Sequence, residues 1–186
     1  MGLSDSSQGL DAALDYLLEE EGGWSNHVAD RGGATMYGVT QAVYNDFRRK
    51  IAKKPVQSVR KISKAEAREV YDILYWRAAR CDRLPWPISY LVFDAAVNSG
   101  PSRGVRWCQA GLALKQDGKV GPATIAAAQG VVSEGNGKAL LAIVDARAEF
   151  LSRLVQRSPT QAAFLLGWWR RTLRVLARAL TAEVEV

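Results

Sequence analysis

Apolar residues recur along most of this chain at helical spacing. Leu14, Leu17 and Leu18 stand three and four residues apart and Glu21 follows on the same face, which predicts a helix from about Leu10 to Glu21. Ser6 or Ser7 would cap it, Asp11 would suit its positive end, and Gly22-Gly23 would stop it. The pattern then breaks. Residues 24–41, WSNHVADRGGATMYGVTQ, mix glycine with β-branched and polar residues around an Asp-Arg-Gly-Gly turn signal, as in a small irregular β-hairpin. Thr40 would cap a helix from Gln41 to about Ile51, and KKPVQSV reads as a basic connector. Ser63 and Glu66 form a capping-box pattern, opening a helix expected to reach about Arg80. Pro85 and Pro87 bound a loop, and the nearly unbroken apolar run from Ile88 to Ser99 predicts a central helix ended by Gly100-Pro101. A helix from Ser102 to Leu114, the turn Gln116-Asp117-Gly118-Lys119 and a short helix from Ala123 to Gln129 with Pro122 in its first turn come next. After the SEGNGK loop, helices from about Ala139 to Gln156 and Gln161 to Ala182 complete the chain. The expected fold class is mainly α: a helical bundle with one small β-hairpin near the N-terminus.

Composition narrows the chemistry. Of 186 residues 48% are hydrophobic and 24% charged, a globular balance that excludes a disordered chain. No apolar run approaches the roughly 18 residues that span a bilayer, and the opening residues lack the basic and apolar segments of a secretory signal. The two cysteines, Cys81 and Cys108, lack zinc-ligand spacing and are expected to be buried, reduced thiols. A single histidine, His27, excludes a multi-histidine metal site, and no G-x-S-x-G motif accompanies it. Hydrolytic chemistry would therefore fall to carboxylates, with no metal and no organic cofactor. The net charge of +6 suits an anionic partner such as nucleic acid, a membrane surface or a cell-wall polymer.

Residues 21–40, EGGWSNHVADRGGATMYGVT, carry the densest candidate chemistry. Glu21 would end a helix on its leucine-lined face. Burial and the negative end of the helix dipole would both raise its pKa, as a general acid requires near neutral pH. Its alternative is an ordinary solvated helix-end residue. Asp30 follows nine residues later beside a Gly-Gly turn, and Thr35 five after that. Asp30 is either a turn-former or, on a hairpin folded back towards the helix end, the second carboxylate of a glycosidase, with Thr35 helping to hold water. Trp24 and Tyr37 would stack on sugar rings or serve the core. Asn98 and Asp94 stand one turn apart on an apolar helix. Either they form a buried network bracing the hairpin, or Asn98 faces a cleft and binds a sugar amide or hydroxyl.

With those residues in place, the chain resembles glycoside hydrolase family 108, lysozyme-like N-acetylmuramidases found as phage endolysins and secretion-associated muramidases. Glu-Gly-Gly and Asp-x-Gly-Gly-x-Thr-x-x-Gly-Val-Thr are similar to the family's opening. FDAAVNSG at 93–100, QAGLALKQDGKVGPAT at 109–124 and FLLGWWRR at 164–171 continue the likeness, the second resembling a peptidoglycan-binding region. The resemblance implies an α+β lysozyme-like fold, with a catalytic region over 8–102 and a helical peptidoglycan-binding-like lobe over 103–186, the two expected to pack as one body. It carries the catalytic acid onto Glu21, with Asp30 and Thr35 assisting at the water. Tyr75-Trp76-Arg77 departs from the family's frequent Tyr-Trp-Asp.

These features imply an endolysin-type muramidase cleaving the β-1,4 bond between N-acetylmuramic acid and N-acetylglucosamine, by inversion if it follows phage-type lysozymes. The alternative is a non-catalytic peptidoglycan-binding module. A nucleic-acid binder is disfavoured, since the basic residues do not gather on a recognisable reading helix. The partners expected are peptidoglycan glycan strands and a holin for delivery. The Arg170, Arg174 and Arg178 stripe, with Arg171 beside it, is read first as the solvated basic face of a core-packing helix and alternatively as a weak contact with anionic envelope lipid. A monomer is expected, held in the host cytoplasm until release to the periplasm and wall.

Overall fold

The computed structural model describes residues 4–21, 24 and 33–181 and, within the first helix, the side chains of 9–18. Eight α-helices and one two-stranded hairpin occur among them. They divide into two compact units, residues 11–74 and residues 1–10 with 75–186.

Helix α1 spans Ser4–Glu21, starting earlier than the leucine periodicity suggested because periodicity marks only the buried face. Leu10, Ala13, Leu14 and Leu17 are buried at the expected three- and four-residue steps. In the 11–74 unit, β1 (Thr35–Met36) pairs antiparallel with β2 (Val39–Thr40), in register Thr35 with Thr40 and Met36 with Val39. Tyr37 and Gly38 form the connection, with φ of 53° and 73°. Positive φ at both central residues matches the primed turn that suits the right-handed twist of the strands. Thr40 then caps α2 (Gln41–Asp46), its Oγ1 accepting from Val43 N at 3.3 Å. The helix continues to Ile51 as a π-helical turn, Phe47–Ile51, rather than as regular α-helix. Helix α3 (Lys64–Tyr71) opens with the full reciprocal capping box of Ser63 and Glu66. It too widens into π geometry at Asp72–Trp76, and turns replace the regular helix expected to Arg80.

The second unit is a bundle. Helix α4 (Ile88–Ser99) is buried from Ile88 through Ala96, as its all-round apolar sequence requires. Around it pack α5 (Pro101–Gly111), α7 (Gly137–Arg157) and α8 (Ala162–Thr181). Helix α6 (Pro122–Ser133) starts at proline and runs four residues beyond the expected Gln129, shortening the loop before α7. Two glycines set the helix spacing. A Cβ at Gly104 would stand 2.9 Å from Val92 O and 3.0 Å from Ala96 N, so α4 and α5 touch backbone to backbone. A Cβ at Gly111 would stand 2.7 Å from Ile143 Cα, so α5 meets α7 equally closely. Both cysteines are buried and free, as expected. Burial pushes the Cys108 thiol up to about 12 and raises Cys81 as well.

Candidate active site

Glu21 is the last residue of α1, and its side chain lies outside the described residues. Asp30 and the Asp-Arg-Gly-Gly turn also lie outside them. Of the predicted trio, Thr35 is in view, half-buried on β1 opposite Thr40. Tyr37, half-buried, occupies the hairpin tip in a left-handed conformation that bulky residues rarely adopt. Its carbonyl accepts a 2.8 Å hydrogen bond from Tyr71 Oη, which holds the strained turn in place. Trp24 is 40% exposed, with the Arg60 guanidinium 5.4 Å from its ring centroid. That arrangement makes Trp24 a surface aromatic carrying a cation over its ring rather than a core residue.

The 11–74 unit is also held by a polar network that the sequence reading missed. Arg48, though nearly buried, donates to Glu66 Oε1 at 2.8 Å, to Tyr44 Oη at 3.2 Å and to Pro55 O at 2.5 Å. Gln57 donates to the same phenol oxygen at 2.6 Å. Gln41 donates to Gln57 O and accepts from Val59 N, at 2.8 and 2.7 Å. Together these bonds tie α2, the following basic connector and the start of α3 to one another. The only sequence sign of the network was Glu66, read as a capping residue alone.

Asn98 and Asp94 lie in the second unit and part company. Asn98 is exposed, and its amide donates to Asp94 O at 2.8 Å and Asp94 Oδ1 at 3.4 Å. The Asp94 carboxylate is buried and bound by two arginines, Arg147 Nη1 at 2.5 Å and Arg171 Nε at 2.8 Å. The expected buried network therefore exists, but it clamps α4 to α7 and α8. Trp76, in the departed Tyr-Trp-Arg segment, is buried with its ring 5.5 Å from Phe93 and edge-on to it. It is a core residue. Among the described residues, no cluster of three or more His, Cys, Asp or Glu is placed to hold a metal.

The DGKVGPAT turn owes its form to Gln109. Its amide donates to Asp117 Oδ1, Lys119 O and Thr124 Oγ1, at 2.8, 3.0 and 3.4 Å, while its carbonyl accepts from Gly118 N at 2.8 Å. Gly118, at φ +76°, sits where a Cβ would stand 3.0 Å from Ser102 O.

Two family models divide this chain: Glycosyl hydrolase 108 matches residues 14–100 and Predicted Peptidoglycan domain matches 103–173. Residues 14–100 belong to glycoside hydrolase family 108. The chain is similar over nearly its whole length to the solved structure of Brucella abortus SagA, with 28% identity and a TM-score of 0.79. The alignment covers 97% of this chain and 99% of that one. No curated protein sequence matches it. The family 108 match, the peptidoglycan domain and the mainly helical fold with its hairpin together make this a lysozyme-like, muramidase-type glycosidase that hydrolyses peptidoglycan.

Proposed function

We propose that the chain is a lytic N-acetylmuramidase cleaving the β-1,4 bond between N-acetylmuramic acid and N-acetylglucosamine. The observation that carries this reading is the placement of Glu21. Within the family 108 region it ends α1 immediately before the segment leading into the β1–β2 hairpin, which bears Thr35 and Tyr37. A carboxyl at the negative end of a helix resists ionisation, as an acid that protonates a leaving glycosidic oxygen must. Glu21 gives its proton to that oxygen. Asp30, with Thr35, positions water or stabilises the oxocarbenium-like transition state. Trp24 and Tyr37 stack on sugar rings, and Asn98 binds a sugar amide or hydroxyl. Residues 8–102 carry the chemistry, while 103–186 hold the chain on peptidoglycan.

The buried, reduced thiols fit synthesis in a reducing compartment. Delivery is therefore as an endolysin: a monomer held in the host cytoplasm and released to the wall through a separate holin. Digestion of purified peptidoglycan tests the bond specificity. New reducing ends borne by N-acetylmuramic acid are expected, with the anomer of first product reporting inversion. Reducing ends borne by N-acetylglucosamine would replace the muramidase reading with a glucosaminidase.

A further inference from the structure

Helix α8 is amphipathic in an unusual way. Thr172, Val175 and Ala179 are buried, three and four residues apart, and form the face that packs into the bundle. A different face carries Leu166, Trp169, Leu173 and Leu180, which are 60%, 37%, 55% and 54% exposed. Steps of three, four and seven residues put these side chains in one row. The row extends onto α7. Leu180 Cδ2 lies 4.0 Å from where a Gly137 Cβ would stand, and Leu141, one turn further along α7, is 46% exposed. Soluble chains rarely leave so long an apolar row uncovered unless something binds there.

Charge selects the occupant. Between Ala162 and Thr181 there are four arginines and no aspartate or glutamate. Arg171 is turned to Asp94, and Arg178 hydrogen-bonds Tyr90. The exposed Arg170 and Arg174 lie along one edge of the apolar row. A second copy of this chain would bring a helix of the same sign, whereas a surface of anionic headgroups over hydrocarbon matches both the arginine edge and the row. Trp169 suits the headgroup boundary. No described helix is long and apolar enough to cross a membrane, so α8 would lie in the plane of the surface.

We propose that this outward face of α8, continued by Leu141, docks the protein on an anionic lipid bilayer. The test is co-sedimentation with vesicles of phosphatidylglycerol and phosphatidylethanolamine, and with vesicles of phosphatidylcholine alone. Binding to the anionic vesicles is expected, weakening as salt rises. Leu166→Ser with Leu173→Ser should reduce it by about tenfold or more through lost apolar burial. Arg170→Gln with Arg174→Gln should cost about fivefold per arginine on the anionic vesicles, with little change on phosphatidylcholine. All four side chains are exposed, and circular dichroism checks that the fold is kept. Absence of binding at low salt, or binding indifferent to the leucine pair, would overturn the proposal. So would a lipid-free dimer that the leucine pair abolishes, which would give the face to a second copy. None of these readings depends on glycan hydrolysis, so the muramidase reading stands or falls separately.

Discussion

The 11–74 unit and the α4–α8 bundle are stabilised in opposite ways. The first has, after α1, two short helices, a hairpin of two-residue strands and a π-helical turn, with a second π-helical turn beginning at its end. Its order comes from side chains bonded to backbone: Gln41 spans to Gln57 and Val59, Arg48 to Pro55, and Tyr71 to Tyr37. The bundle has long helices in close backbone contact at Gly104 and Gly111, and one buried carboxylate between two arginines. Irregular backbone leaves polar groups that side chains must satisfy, whereas helices satisfy their own and need only shape. The described connections of the unit that bears Thr35 and Tyr37 are thus fixed by side-chain hydrogen bonds, as the DGKVGPAT turn of the other unit is by Gln109. Catalytic groups need that kind of positioning, which apolar packing supplies less specifically.

Substitutions that break this contrast should differ in size. Asp94→Ala should have the largest effect, because it leaves Arg147 and Arg171 facing each other with no anion between them. The side chains of Asp94 and Arg147 are only 5% and 8% exposed, and such losses cost about 3–5 kcal/mol. Thermal unfolding of the purified variant measures the loss. Gly111→Ala comes next. Its methyl would overlap the backbone of Ile143, and forcing α5 from α7 should cost about 1–3 kcal/mol. Glu66→Gln keeps the helix cap but neutralises the partner of Arg48, for about 1–2 kcal/mol, read from the urea midpoint. The smallest effect is one of pH. The hydrogen bond from Gln109, with help from Lys119 N, holds the Asp117 carboxyl below its ordinary value. Its folded pKa lies below the unfolded one, so its contribution is complete above about pH 4 and is lost as pH falls through the folded value. Acid titration of stability should lose that component in Asp117→Asn.

The helices were legible wherever one face repeats. Leu14, Leu17 and Leu18 marked α1, the first two of them buried, and the nearly unbroken apolar run marked α4. Two caps were legible because they are local: Thr40 and Ser63 act where their spacing placed them, whereas Ser6 and Ser7, expected to cap α1, lie inside it because the helix begins at Ser4. The π-helical turns were not, since each spans five residues, too few for a change of period to show in the apolar pattern. Nor was the destination of Asp94. A carboxylate on an apolar helix announces that it needs partners, but Arg147 and Arg171 stand 53 and 77 residues away. Arg171 and Arg178 looked like members of a solvated basic face until the fold turned them to Asp94 and Tyr90. At the candidate site, Thr35 and Tyr37 lie on a hairpin within the predicted stretch, but that hairpin turns at Tyr37-Gly38 and not at the Asp-Arg-Gly-Gly signal, which the described residues do not cover, and Tyr71, which props the Tyr37 carbonyl, gave no local sign.

The measurement that bears most directly on the central claim is hydrolysis of purified peptidoglycan by Glu21→Gln, read as new reducing ends. Glutamine keeps the shape of the side chain and removes its proton, and general acid catalysis is worth about 10²–10⁴-fold. The account predicts a loss of at least that order, with circular dichroism and peptidoglycan binding unchanged and with Glu20→Gln mild. A Glu21→Gln variant retaining more than about a tenth of wild-type activity would contradict it, since a general acid cannot be dispensed with so cheaply.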